Sequence, residues 1–183
     1  MTKQNQLSYF SLSIRWLLGL IALTSILFYS PRAEAAEWVV LKYRFLRERV
    51  SVTELTTFVK TGELSRSLRA YLKLAKKEPA ELRRTLTQEV KVNSTFLYQA
   101  LKTPVGDGML DQVSQVVHTP TNRANRESLR GALVSSALPD GNITLIETLQ
   151  NYPTPEVHVE GERLVEVMQN ISKLLGGLPL PRS

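Results

Sequence analysis

Residues 38–55 read WVVLKYRFLRERVSVTEL, and this stretch predicts how the domain begins. Apolar side chains occupy both faces of an extended chain over Trp38–Tyr43, which indicates a strand that is partly buried on both sides. Apolar and polar residues alternate over Leu46–Val52, which predicts a second strand with a charged outer face. Only Arg44-Phe45 connects the two strands. We therefore expect a β-hairpin, whose turn lacks the Gly, Asn or Asp that such turns favour.

The end of the same stretch has the signature of a helix start. Ser51 is followed three residues later by Glu54, the spacing of a capping box. The helix that it predicts carries Leu55 and Phe58 on one face and stops near Gly62.

Further helices and one strand are predicted downstream from caps and apolar spacing. The first four apolar stripes are Leu68, Tyr71, Leu72 and Ala75 after a Ser65 cap; Leu82, Leu86 and Val90 after Pro79; Phe96, Leu97, Ala100 and Leu101 after Asn93; and Met109, Leu110, Val113, Val116 and Val117 after Thr103-Pro104. Later helices are expected from about Arg126 to Leu138, from Ile143 to Leu149, and from about Glu162 to Leu175. A short strand at Val157–Val159 is placed where it could pair with the hairpin.

These elements predict an α+β fold that is mostly α. Six or seven short helices are expected to pack on a small antiparallel sheet of about three strands. Residues 36–175 are expected to form a single α-rich globular domain, and residues 176–183 an extended C-terminal tail.

Residues 1–35 have the organisation of a secretory signal peptide. Lys3 precedes the uncharged run WLLGLIALTSILF at residues 16–28, and Ala33-Glu34-Ala35 follows. These are the basic, apolar and A-x-A parts of such a peptide. An uncleaved membrane anchor is the competing interpretation, but it needs about 20 apolar residues and Arg15 ends this run too early. We expect cleavage between Ala35 and Ala36, and therefore export.

The composition excludes several kinds of site. The chain of 183 residues contains no cysteine, which rules out a disulfide scaffold, a cysteine-ligated metal site and a thiol nucleophile. No G-x-S-x-G, G-x-G-x-x-G or phosphate-binding loop occurs in it. Because there are two histidines and a net charge of only +6, we expect no cofactor, no metal and no nucleic-acid partner.

Two acids and two histidines remain as candidates for chemistry. Asp107 and Asp111 are four residues apart on one predicted helix. They are either a metal or acid–base pair, or acids that complement the positive end of the helix dipole, and we favour the second. His118 and His158 could each act as a general base, but neither has a partner nearby in the sequence. We interpret both as structural or surface groups and expect no catalytic residue.

A row of basic residues is the most distinctive surface feature in the sequence. It follows helical spacing opposite the apolar stripe of its helix. One interpretation is an interaction surface for anionic headgroups or an acidic partner. The other is the solvated side of an amphipathic helix, as most charge runs are. The candidate surface consists of Arg66, Arg69, Lys73, Lys76 and Lys77, with Arg83 and Arg84 beyond it.

The order of short motifs along the chain resembles a known family. The motifs are SVTEL at residues 51–55, FVKTGELS at 58–65, FLY at 96–98, TPVG at 103–106, LRGAL at 129–133, ITLI at 143–146, YPT at 152–154 and VHV at 157–159. In this order, from about Glu37 to Leu174, the chain resembles the cyanobacterial domain of unknown function 1400. It departs from the family at Arg44-Phe45, where a Gly-Pro turn is favoured, and at Glu78, where a serine cap is favoured.

The resemblance implies a domain that follows a signal peptide and precedes an α/β-hydrolase domain of lipase or acetylhydrolase type, which would begin where this sequence stops. We therefore expect an exported, non-catalytic accessory or interaction domain that is associated in trans with an α/β-hydrolase. One alternative is an envelope protein that binds anionic membrane surfaces through the basic row. Another is a hydrolase by family label only. The exported compartment stays open among periplasm, thylakoid lumen and extracellular medium.

Overall fold

The computed structural model describes residues 35–164 and 166–167. It has the mostly helical α+β architecture that the sequence predicts. The strands are β1 (Trp38–Tyr43), β2 (Leu46–Ser51), β3 (Val90–Lys91), β4 (Val117–His118), β5 (Asn142–Ile143) and β6 (Glu156–Glu160). The helices are α1 (Val52–Thr61), α2 (Arg66–Ala75), α3 (Pro79–Thr87), α4 (Ser94–Ala100), α5 (Pro104–Ser114), α6 (Asn125–Ala137) and α7 (Leu145–Gln150). Residues 161–164 begin a further helical segment.

The predicted N-terminal hairpin is confirmed. β1 and β2 pair antiparallel from Trp38 opposite Ser51 to Tyr43 opposite Leu46, so that Arg44 and Phe45 alone form the turn. Arg44 adopts a positive φ of 54°, the left-handed conformation that glycine usually supplies in such turns. The absence of a glycine therefore does not prevent the turn, but it leaves a bulky residue in a costly conformation.

The main sheet differs from the expected antiparallel sheet of about three strands. It has four strands in the order β2-β1-β6-β4, and β1 and β6 run parallel. β6 enters beside the start of β1, where the backbone N–H groups of Glu37 and Trp38 both donate to the carbonyl of Pro155. The β6 strand was predicted to pair with the hairpin and does so. The helices between β1 and β6 return the chain to the end of the sheet where β1 begins, and this fixes the direction of β6. The spacing of residues along the sequence does not encode that direction.

Three two-residue strands were assigned wrongly from the sequence. Val90 was placed on a helix stripe, but it pairs with Ile143 in a separate two-stranded sheet of β3 and β5. Ile143 was expected to begin a helix, yet α7 begins only after Thr144, whose side chain forms a full capping box with Glu147. Val117 was expected in a helix and instead pairs with β6. Strands of this length are too short to show a period of two.

The predicted helix starts are confirmed by their caps. The hydroxyl or amide oxygens of Ser51, Ser65, Asn93 and Thr103 each accept a hydrogen bond from the backbone N–H three residues on. Each bond satisfies a helix N–H that would otherwise lack a partner. At Glu78 no side-chain cap forms, and Pro79 occupies the first turn of α3 instead.

A single cluster of buried side chains joins the helices to one face of the main sheet. Val39, Val50, Val157 and Val159 supply this face, and all are almost completely buried. The final predicted helix is helical at residues 161–164 and 166–167. The rest of that helix, residues 1–34 of the predicted signal peptide (residues 1–35) and the predicted tail at 176–183 lie outside the described residues. Among the residues that are described, no helix is both long and apolar enough to span a bilayer.

Candidate interaction surface

Helix α2 has the two-sided character that its sequence predicts. Leu68, Tyr71, Leu72 and Ala75 are buried against the domain. On the opposite side the four basic residues of the predicted row face solvent: Arg66, Arg69, Lys73 and Lys76. The row therefore exists as one continuous surface along the helix.

In the described part of the chain, no acid forms an ion pair with this row. None of the ion pairs formed within residues 35–164 and 166–167 involves Arg66, Arg69, Lys73 or Lys76. The guanidinium of Arg69 donates a long hydrogen bond to the carbonyl of Leu64, at 3.4 Å. These side chains are therefore available to an anionic partner.

Lys77 stands apart from the other four. Its Nζ donates to Oε1 of Glu81 at 2.9 Å and lies 5.6 Å from the centre of the Tyr43 ring. The hydrogen bond with Glu81 raises the pKa of Lys77. This side chain joins the end of α2 to α3 and to the hairpin, so it supports the surface rather than extending the row.

Two exposed hydrophobic side chains near the basic row were not predicted from the sequence. Phe45 in the hairpin turn and Leu74 on α2 are 90% and 68% exposed. The signal that could have indicated them was present in the sequence. Phe45 lies in a turn between Arg44 and Leu46, and Leu74 falls outside the apolar stripe of its helix.

The two predicted acids serve packing between helices. Oδ1 of Asp107 accepts a hydrogen bond from Arg130 at 2.7 Å, and both carboxylate oxygens of Asp111 accept bonds from Arg126. Arg126 lowers the pKa of Asp111. Each acid on α5 is thus matched by an arginine on α6. No cluster of three or more potential metal ligands occurs in the described part of the chain.

The two histidines are neighbours inside the main sheet, which the sequence did not predict. His118 on β4 lies opposite His158 on β6, and the two rings meet edge to face with centroids 5.3 Å apart. Both are buried. Nε2 of His118 lies 3.2 Å from Oε1 of Glu160, and Nε2 of His158 lies 3.0 Å from Oε1 of Glu156.

The glutamates that face the two histidines also form ion pairs with basic residues on the neighbouring strands. Lys42 on β1 binds Glu160 at 2.7 Å, and Arg49 on β2 binds Glu156 at 3.2 Å while covering the ring of Trp38. Burial lowers the pKa of His158. Each Nε2 thus faces a carboxylate, and Nδ1 of His118 also lies 2.8 Å from the carbonyl oxygen of Thr119.

An open groove of about 750 Å³ lies beside the starts of β1 and α1, lined in part by Trp38, Thr56 and Gln150. Two more enclosed spaces are much smaller. A cavity of about 90 Å³ lies between β1 and α2, and one of about 70 Å³ with mainly aliphatic walls lies among α4, α5 and α6. Binding sites for small molecules typically enclose about 300–1,000 Å³. The two cavities are therefore better explained as packing gaps than as cofactor sites.

The backbone contacts of the domain begin next to the predicted cleavage position. Ala35 is exposed and Ala36 is buried. The next residue, Glu37, already pairs with Pro155 through its backbone. Cleavage between Ala35 and Ala36 stays a prediction, and it would leave these contacts intact.

One protein family matches the chain. The matching model is DUF1400, described as "Alpha/beta hydrolase of unknown function", and it covers residues 35–160, about two thirds of the sequence. No curated protein sequence and no solved structure matches. The matched region contains the hairpin, helices α1 to α7 and the interior strand β6. The chain therefore belongs to the DUF1400 family, whose members are described as α/β-hydrolases of unknown function.

Proposed function

We propose that this chain is an exported, non-catalytic accessory domain that works together with an α/β-hydrolase. The proposal rests on the difference between the description of the family and the fold of the matched residues. The family is described as an α/β-hydrolase of unknown function, but the matched residues form a mostly helical domain around a mixed four-stranded sheet. A hydrolase active site would then lie outside the matched residues.

The side chains of the matched region support this division of labour. A serine hydrolase of this class presents its nucleophile in a G-x-S-x-G turn, which the sequence lacks. It also needs a histidine whose Nε2 faces that serine. Both histidines of this chain direct Nε2 at glutamates, at 3.2 Å and 3.0 Å.

The corner between α4 and α5 offers a surface for a protein partner. Tyr98 and Val105 are exposed there, and Nζ of Lys102 lies 4.1 Å from the centre of the Tyr98 ring; Phe96 is exposed in the first turn of α4. Aromatic residues are enriched in the centres of protein interfaces. Gly106 holds the two helices in close contact, since a Cβ at this position would lie 2.2 Å from the carbonyl oxygen of Ala100. The patch is therefore presented on a rigid support.

A binding measurement tests this proposal. The full chain is mixed with the purified α/β-hydrolases of its source organism, and complex formation is followed by size-exclusion chromatography with light scattering. We expect one hydrolase to co-elute with the chain. Combined substitution of Phe96, Tyr98 and Val105 by serine should abolish co-elution.

The control replaces an exposed hydrophobic residue elsewhere, Leu138→Ser on the end of α6, and should bind as the unmodified chain does. Failure of every hydrolase to bind would refute the proposal. So would ester hydrolysis by the isolated chain, because that activity would make it an enzyme in its own right.

A further inference from the structure

The hairpin turn and the C-terminal end of α2 lie at the same end of the domain. Nζ of Lys77, just beyond α2, lies 5.6 Å from the ring centre of Tyr43, the last residue of β1. Tyr43 and Ala75 also line one small cavity. We call the exposed residues of this end the basic tip, which consists of Arg44, Phe45, Lys73, Leu74 and Lys76.

The basic tip combines exposed hydrophobic side chains with cations. Phe45 directly follows Arg44 in the turn, and Leu74 directly follows Lys73 on the helix. Isolated apolar residues are common on protein surfaces, but these two are among the most exposed large ones. Nε of Arg44 lies 3.7 Å from Oε1 of Glu162 in a solvent-exposed ion pair. Such exposed pairs contribute little binding energy.

Two cations of the basic tip occupy backbone conformations that favour glycine. Arg44 has a φ of 54° in the hairpin turn, and Lys76 has a φ of 52° at the C-terminal cap of α2. Left-handed conformations cost a non-glycine residue stability. Strain of this kind clusters at functional sites, and Asn122 and Ala124 elsewhere in the chain adopt it as well. A long basic side chain is thus kept at two positions where glycine would be less costly.

We propose that the basic tip docks on lipid bilayers that contain anionic lipids. Phe45 and Leu74 enter the headgroup region, and Arg44, Lys73 and Lys76 contact anionic headgroups, with Arg66 and Arg69 continuing the contact along α2. Interfacial protein segments bind in this way, through apolar side chains inserted between basic ones. This surface is separate from the α4–α5 corner, so membrane docking and hydrolase binding are independent claims.

A bilayer fits this surface better than a folded protein partner does. Phe45 and Leu74 stand on two different elements with cations beside each of them. The core of a protein interface is instead one apolar patch depleted in charge. A fluid surface of anionic headgroups accommodates separate apolar insertions and a row of cations at once.

A single fluorescent label tests where the chain meets the bilayer. The sequence has no cysteine, so Phe45→Cys introduces one labelling site for a polarity-sensitive dye. On vesicles of phosphatidylcholine with phosphatidylglycerol, we expect the emission of the dye to shift to the blue. On phosphatidylcholine alone no shift is expected. The control label at Leu138→Cys, also on an exposed hydrophobic position, should stay unshifted on both.

Vesicle flotation of the full chain supplies the second measurement. Removing a cation near an anionic surface lowers partition by about fivefold. Lys73→Gln combined with Lys76→Gln should therefore weaken binding by about tenfold or more. Lys91→Gln combined with Lys102→Gln removes the same charge from other elements and should leave binding unchanged. All variants share residues 1–35, so any contribution of that segment cancels in the comparison.

Three results would overturn the proposal: no blue shift at position 45 on anionic vesicles, an equal shift at position 138, or equal losses in the two double variants. The last would mean that net charge alone attracts the chain. The α4–α5 serine variant should bind vesicles normally, which distinguishes a failure of this inference from a failure of the proposed function.

Discussion

The rings of His118 and His158 meet inside the main sheet with a glutamate on each Nε2 atom. Burial lowers the pKa of His158, with Lys42 and His118 adding to the effect and the hydrogen bond to Glu156 opposing it. The folded chain therefore binds fewer protons here than the unfolded chain. A buried base of this kind makes stability depend on pH.

We expect the free energy of unfolding to fall as the pH drops below the ordinary histidine pKa of 6.5. A further loss of stability is expected as the pH falls below 4.5, the ordinary pKa of a glutamate. Burial alone would raise the pKa of Glu160, but Lys42 and His118 lower it overall, so the folded chain favours the charged form. Urea titrations at neutral and mildly acidic pH measure the first effect, and His158→Gln should remove it. Equal stability of the unmodified chain at both pH values would contradict this account.

Two glycines of α5 should respond oppositely to alanine. A Cβ at Gly106 would lie 2.2 Å from the carbonyl oxygen of Ala100 and 2.6 Å from Cα of Leu101. Gly106→Ala should therefore cost at least about 2 kcal/mol, since overpacking against backbone cannot relax easily. A Cβ at Gly108 would meet no atom within 4 Å. Gly108→Ala should therefore stabilise the helix by about 1 kcal/mol. Thermal unfolding of the two variants measures both effects. Equal changes in stability at the two positions would contradict the prediction.

The strained cations of the basic tip connect stability with function. Replacing Arg44 or Lys76 by glycine relieves a left-handed conformation, and we expect each change to stabilise the domain by about 1 kcal/mol. Both changes should also weaken binding to anionic vesicles, because each removes a cation. A glycine variant that is less stable than the unmodified chain would show that these side chains are kept for folding.

Among the elements, α5 and α6 are joined by three arginine–aspartate ion pairs, which are formed by two arginines of different exposure. Arg130 is partly buried and donates both to Asp107 at 2.7 Å and to the carbonyl of Leu101 at 2.9 Å. The Arg126 side chain is more exposed. Buried charged hydrogen bonds contribute more than exposed ion pairs do.

Arg130→Met should therefore destabilise the domain by about 1–2 kcal/mol, and Arg126→Met by clearly less. Chemical denaturation of the two variants compares them directly. Equal losses would mean that the pairs act through the charge of α6 and not through the contact with Leu101.

The sequence predicts elements where the signal is local. The caps at Ser51, Ser65, Asn93 and Thr103 follow from residues three positions apart, and all four are confirmed. Val90 was misplaced because it continues an apolar helix stripe, although α3 ends at Thr87. Its partner Ile143 is more than fifty residues away, so no local pattern could reveal the strand.

At the scale of the whole molecule, the arrangement of the sheet required the structure. The parallel pairing of β1 with β6 and the meeting of His118 with His158 both depend on how the intervening helices return the chain. The basic row could be predicted because it lies on one helix. The basic tip could not, because it joins that helix to a turn that precedes it in the sequence.

The central claim is that this chain assists a hydrolase without carrying the chemistry itself. The most direct test is the rate at which the hydrolase that binds it cleaves a chromogenic ester as the full chain is titrated in. We expect the rate to change and to saturate at a fixed ratio of the two proteins, while the chain alone shows no turnover. A rate unaffected by the chain at any ratio, or turnover by the chain alone, would contradict it.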